Sequence, residues 1–145
     1  MARRALTEII AGLLALLFAY AAISKLLDYE TFKFQLGKSP YVNGLAGFIA
    51  WALPCIEIAV VLLLLFKKSR LAGLYASFFL MLFFTGYIYA ILKFSYYIPC
   101  SCGGILSSMS WKEHLIFNIA FTLLALTAIL LYRREAIFSP REVMA

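Results

Sequence analysis

The sequence predicts an all-α fold, a polytopic membrane protein built as one antiparallel four-helix transmembrane bundle. Three observations predict it. Of the 145 residues, 65% are apolar and only 14% charged, against roughly 45–50% and about 25% in a soluble domain, so lipid must be the main solvent. Uncharged apolar runs recur at 9–24, 71–92 and 115–132, and a fourth at 42–66 is interrupted only by Glu57. Each can cross a hydrocarbon layer of ~30 Å, which takes roughly 20 helical residues, fewer where polar ends snorkel. The runs also lack the alternation of a strand, and an open strand in lipid would leave backbone groups unpaired.

Taken in order, the spans are expected at about 6–27, 46–66, 71–92 and 112–132 within a single domain covering 1–145. The first follows Arg3 and Arg4 and contains Ala19-Tyr20-Ala21, the small-residue pattern of a signal-peptide cleavage site. Its apolar stretch outlasts a signal-like length, so a membrane helix is expected instead. The second and third are joined through Lys67, Lys68 and Arg70, a turn short enough to make them an antiparallel hairpin. Within the second, Pro54 removes a backbone donor and frees the Ala50 carbonyl, opening the helix where a polar pocket could form. The fourth begins at Trp111, whose expected task is to anchor the helix at the membrane interface.

Charge sets the expected orientation. The formal net charge is +6, but the basic residues cluster beside apolar runs as orienting signals, which argues against a nucleic-acid partner. Arg3, Arg4, Lys67, Lys68, Arg70, Arg133, Arg134 and Arg141 all fall on one side, which the positive-inside rule makes cytoplasmic. Both termini are then expected inside, with the longer connections at 28–44 and 93–114 on the opposite side. The segment 95–110 carries Tyr96, Tyr97, Ile98, Ile105, Leu106 and Met109, and is expected to pack on the membrane surface or the bundle mouth.

The three cysteines cannot all pair within the chain. Cys100 and Cys102, in Pro99-Cys100-Ser101-Cys102-Gly103-Gly104, would face an oxidising compartment. A disulfide between them closes a small, strained ring, and exposed strained disulfides are the labile, redox-active kind. Other readings stay open: a turn constraint, two isolated surface thiols, or a soft-metal site with His114 for copper or zinc. The metal reading is short of ligands, since two thiols and one imidazole do not make the usual four, and no metal site is assigned.

Glu57 lies near the bilayer midplane, where a carboxylate costs several kcal/mol unless it is protonated, paired or hydrated, so it must face the bundle interior. Lys25, near the far end of span one, stands perhaps ~10 Å higher by the helical rise, a gap that extended side chains could close. Such a pair would serve either to lock helices together or to handle protons. Cys55 reads first as small apolar filling and second as a relay thiol. His114 and Asn118, four residues apart, share one helical face that should point inward. His114 is a candidate proton donor, or alternatively a headgroup contact.

In order, Ile23-Ser24-Lys25-Leu26, Leu53-Pro54-Cys55-Ile56-Glu57, the Pro99–Gly104 loop, and Trp111 followed by Asn118 resemble the MauE branch of the DoxX-like membrane family, named for methylamine utilisation. The resemblance covers nearly the whole chain. It implies a four-helix inner-membrane protein tied to periplasmic disulfide chemistry, often beside a thioredoxin-like partner, in relatives that help mature disulfide-bearing dehydrogenase subunits. It also implies that Cys100 and Cys102 are the redox pair, Lys25 and Glu57 the charged pair, and Trp111 and Asn118 the span-four signature. Two departures stand out. Family members commonly follow the second cysteine with an aromatic residue and glycine, where this chain has Gly103-Gly104, and they more often carry an aliphatic residue at Cys55.

The expected function is membrane thiol-disulfide exchange with a periplasmic thioredoxin-like or substrate protein through Cys100 and Cys102. Electrons would pass to or from a quinone near Glu57 and His114, or through Cys55 as a thiol relay. The alternatives are a non-catalytic membrane assembly factor, soft-metal handling, and a small transporter. The last lacks the internal repeat of many transporters, though homo-oligomerisation could supply one.

Overall fold

The computed structural model describes residues 2–39, 41–94 and 110–138. Cys100, Cys102 and the loop that holds them lie outside the described residues. Among the described residues there are five α-helices: α1 (Ala2–Leu27), α2 (Tyr29–Lys38), α3 (Ala46–Leu65), α4 (Arg70–Phe94) and α5 (Trp111–Phe138), with a short 3-10 turn at Asn43–Leu45. Four of them, α1, α4, α5 and α3 with its preceding turn, are long and apolar enough to cross a membrane, at the positions read from the sequence. They extend past the uncharged runs because long basic side chains carry their charge out to water, so Arg3, Arg4, Arg133 and Arg134 sit inside helices.

The connection at 28–44 differs from a simple loop. Most of it is helix α2, which packs on α3 and brings the Tyr29 and Trp51 rings to 5.5 Å. The four long helices form a ring in which α1 packs on α3 and α5, and α4 on α5 and α3. This is the up-down arrangement that short loops favour.

The core follows from spacing. On α1 the buried positions are Thr7, Ile10, Ala11, Leu14, Ala15, Phe18, Ala21, Ala22 and Lys25, one stripe at three- and four-residue intervals. Its alanines let neighbouring backbones approach closely, the usual basis of helix association where lipid supplies no hydrophobic drive. The outer surface is correspondingly apolar, with side chains such as Leu16, Phe48 and Phe83 exposed.

Gly73 fixes how α3 and α4 meet at their turn. A Cβ there would lie 2.9 Å from the Leu64 nitrogen and 3.0 Å from the Leu63 carbonyl carbon, both backbone atoms that cannot swing aside. Ser69 Oγ donates to the Leu63 carbonyl at 3.0 Å and Arg70 Nε to that of Leu64 at 3.2 Å, satisfying carbonyls that the end of α3 leaves open. Arg70 also lies 3.7 Å from Glu8 on α1, which places the start of α1 and the α3–α4 turn together at what we call the arginine end.

Candidate functional site

At the opposite end, α1 finishes its buried stripe on Lys25 and α3 presents Glu57 from its own inward face. Lys25 Nζ lies 2.8 Å from Glu57 Oε1, with the side chains 1% and 0% exposed. The helical stagger is closed by the four-carbon stem of lysine, which lies along apolar neighbours. The ammonium also donates to the Ala21 carbonyl at 3.3 Å and stands 5.8 Å from the centre of the Phe32 ring on α2. Two charges that would be prohibitive alone in lipid are thereby balanced. Glu57 Oε2 nevertheless has no hydrogen-bond partner among the described residues.

His114 reaches the same region from the first turn of α5. That turn is held by a reciprocal cap: Ser110 Oγ accepts from the Glu113 amide at 3.3 Å, and Glu113 Oε2 accepts from the Ser110 amide at 2.9 Å. His114 is only 4% exposed and lines the bundle interior. Its ring stacks on Trp111, with centroids 6.0 Å apart and planes at 27°, and its Nδ1 has no partner among the described residues. Asn118, one turn further on, is equally buried.

These groups converge on a cavity of about 370 Å³ to which every helix contributes, within the range of small-molecule sites. Its polar members are Lys25, Gln35, Glu57, Tyr87, His114 and Asn118, and its walls are otherwise apolar and rich in phenylalanine. Trp111 lines it as well, beyond the anchoring task expected of it. Pro54 is buried within α3, which continues helical through it. Just beyond it, Ile56 and Glu57 belong to the cavity wall.

Cys55 corrects an expectation. It is exposed on the outer face of α3 and is not part of the cavity wall, so it fills no core. One residue before Ile56 and two before Glu57, it is turned away by the helical period.

Several participants were not anticipated. Phe32 and Gln35 arrive on α2, and Tyr87, whose hydroxyl lies 2.7 Å from that of Ser39, comes from α4. The Ser110–Glu113 cap was visible in the sequence as a Ser-x-x-Glu pattern before an apolar run. Gln35 carried no comparable signal. Among the described residues no three metal-ligating side chains come together.

The arrangement offers a charge-neutral ion pair with one open carboxylate oxygen, a sheltered imidazole and aromatic walls. A carboxylate and an imidazole are side chains of the kind that exchange protons, and apolar walls with a few polar groups are usual for small-molecule sites. A family model described as methylamine utilisation protein MauE matches residues 3–131. No curated protein and no solved structure matches the chain.

Proposed function

The chain belongs to the MauE family, and on that premise we propose that this multi-pass membrane protein exchanges disulfides with an extracytoplasmic thioredoxin-like or substrate protein. A disulfide-bearing dehydrogenase subunit is the substrate that a methylamine-utilisation setting suggests. In this reading the membrane is the bacterial inner membrane, the arginine end faces the cytoplasm, and Cys100 and Cys102 face the periplasm.

The chemistry runs in two steps. A thiolate of the partner attacks one sulfur of the Cys100–Cys102 disulfide, forming a mixed disulfide and releasing the other sulfur as thiolate. The partner's second thiolate then attacks the mixed bond, leaving the partner oxidised and both cysteines reduced. A quinone held in the cavity beside Glu57 and His114 would supply the two-electron, two-proton acceptor needed to restore the Cys100–Cys102 bond. Glu57 and His114 carry the protons, while Lys25 and Asn118 shape the pocket. Cys55, outside the cavity, takes no part.

The observation that supports this reading best is the meeting of the Lys25–Glu57 pair, His114 and Trp111 in one cavity at the end of the bundle where α4 finishes and α5 begins. The segment with both thiols is tethered between those two helix ends. Thiol trapping in intact cells and inverted vesicles, with and without reductant, tests it. Cys100 and Cys102 are expected to react from the periplasmic side and to change state with the redox poise. Cys100→Ser and Cys102→Ser are each expected to stop partner maturation. If both variants support maturation normally, exchange is excluded and a docking role for the loop takes its place.

A further inference from the structure

The cavity wall reaches residues that are themselves exposed. On α3 it is bounded by Phe48, Ala52 and Ile56, and on α4 by Phe83 and Tyr87. Three of these wall residues, Phe48, Ile56 and Phe83, are also exposed on the outer surface, at 72%, 48% and 66%. At the arginine end the same two helices are pinned backbone to backbone by Gly73. Away from that turn, α3 and α4 both contribute exposed side chains to the cavity wall, which makes their seam the side from which a lipid-borne ligand would enter.

Inside, the unpartnered atoms define what the cavity would take. Among the described residues Glu57, wholly buried and held by Lys25, leaves Oε2 without a partner, and a carboxylate oxygen in an ion pair only accepts hydrogen bonds. Within the same set of residues His114 Nδ1 and Gln35 Oε1 have no partner either. A carbonyl head cannot satisfy Oε2, whereas a hydroxyl can donate to it, and a second hydroxyl can serve His114 in either tautomer. With Lys25 neutralised by Glu57, the described cavity residues offer no further lysine or arginine for an anionic head. The volume of about 370 Å³ is many times the ~30 Å³ share of one water, and its walls are mostly apolar, so a few waters would not fill it favourably.

We propose that this cavity binds a lipid-soluble phenolic or hydroquinone ring, admitted sideways from the bilayer between α3 and α4, with a ring hydroxyl donating to Glu57 Oε2 and its apolar tail left in the seam. The site stands whether or not Cys100 and Cys102 exchange disulfides, and it specifies which redox form of a quinone carrier the pocket holds best.

The test uses full-length protein in nanodiscs with Cys100→Ser and Cys102→Ser to silence dithiol chemistry, and Trp51→Phe so that Trp111 alone reports. Decylbenzoquinone is the fluorescence quencher, and decylhydroquinone and its dimethyl ether are the competitors. Quenching is expected to saturate, and the hydroquinone to displace the quencher at a concentration about tenfold below the ether, the effect of one charge-assisted hydrogen bond. Ala52→Phe, which narrows the seam, is expected to weaken binding about tenfold, and Ile119→Phe on the outer face of α5 to leave it unchanged. Quenching that only rises linearly with membrane quinone, an ether that competes as well as the hydroquinone, or equal effects of the two phenylalanine variants would each overturn the proposal. So would displacement by added phosphatidylglycerol, which would make this a phospholipid site. If Ala52→Phe does not yield monodisperse protein, the comparison of hydroquinone with ether on protein retaining Ala52 decides.

Discussion

Lys25 and Glu57 are bound to each other more strictly than either is to its own helix. Removing one partner strands a buried charge, which costs about 3–5 kcal/mol, whereas replacing both by apolar groups of similar volume is often neutral. Lys25→Met or Glu57→Leu alone is expected to destabilise the bundle by that amount in a detergent-unfolding titration, and the double variant to recover most of the loss. If the double variant is also inactive in partner maturation, the pair does more than lock helices. A double variant as unstable as either single one would contradict the pairing at 2.8 Å. Both residues were legible in the sequence, because a charge inside an apolar run announces itself. The orphaned Oε2 and Nδ1 were not, since hydrogen-bond satisfaction depends on which groups three separate helices bring together. Cys55 misled for a related reason: a small thiol fits a core or an outer face equally well, and only the helical phase of α3 decides.

At the scale of elements, the long spans could be read from length and polarity alone, while α2 escaped. Its residues alternate between polar and apolar too often to form a span, and Asp28 before it makes no side-chain cap. Its helicity is supported by packing against α3, information that no local pattern holds. The start of α5 is the opposite case, a helix end encoded locally by Ser110 and Glu113. Ser110→Ala is expected to weaken that first turn by about 1 kcal/mol, speeding hydrogen exchange at the amides of residues 112–114 while those near Ala125 stay protected. Because Trp111 and His114 ride on this turn, the same variant is expected to loosen their stacking, readable as a shift in Trp111 emission. Unchanged exchange at 112–114 would show that contacts with the rest of the bundle, not the cap, hold His114 in the cavity.

For the whole molecule, the ring of four helices separates two chemically different ends. One gathers Arg3, Arg4, Lys67, Lys68, Arg70, Arg133 and Arg134, and the other holds the cavity. By the positive-inside rule the basic clusters would hold their end in the cytoplasm, the orientation proposed above. The opposite end, with Lys33, Lys38, Lys93 and Lys112 offset in part by Asp28, Glu30 and Glu113, carries a weaker signal. Single reporter cysteines in a background without the three native ones test this. Lys68→Cys sits on an exposed turn, and Gly37→Cys on α2 has open space around its Cβ. A membrane-impermeant maleimide is expected to label Gly37→Cys in intact spheroplasts and Lys68→Cys only in inverted vesicles. Opposite labelling would leave the bundle and its cavity intact but turn the thiol loop toward the reducing cytosol, where a labile Cys100–Cys102 bond would stay open. Orientation is therefore the property of the whole molecule on which the redox reading turns, while the proposal of a ligand site in the cavity does not depend on it.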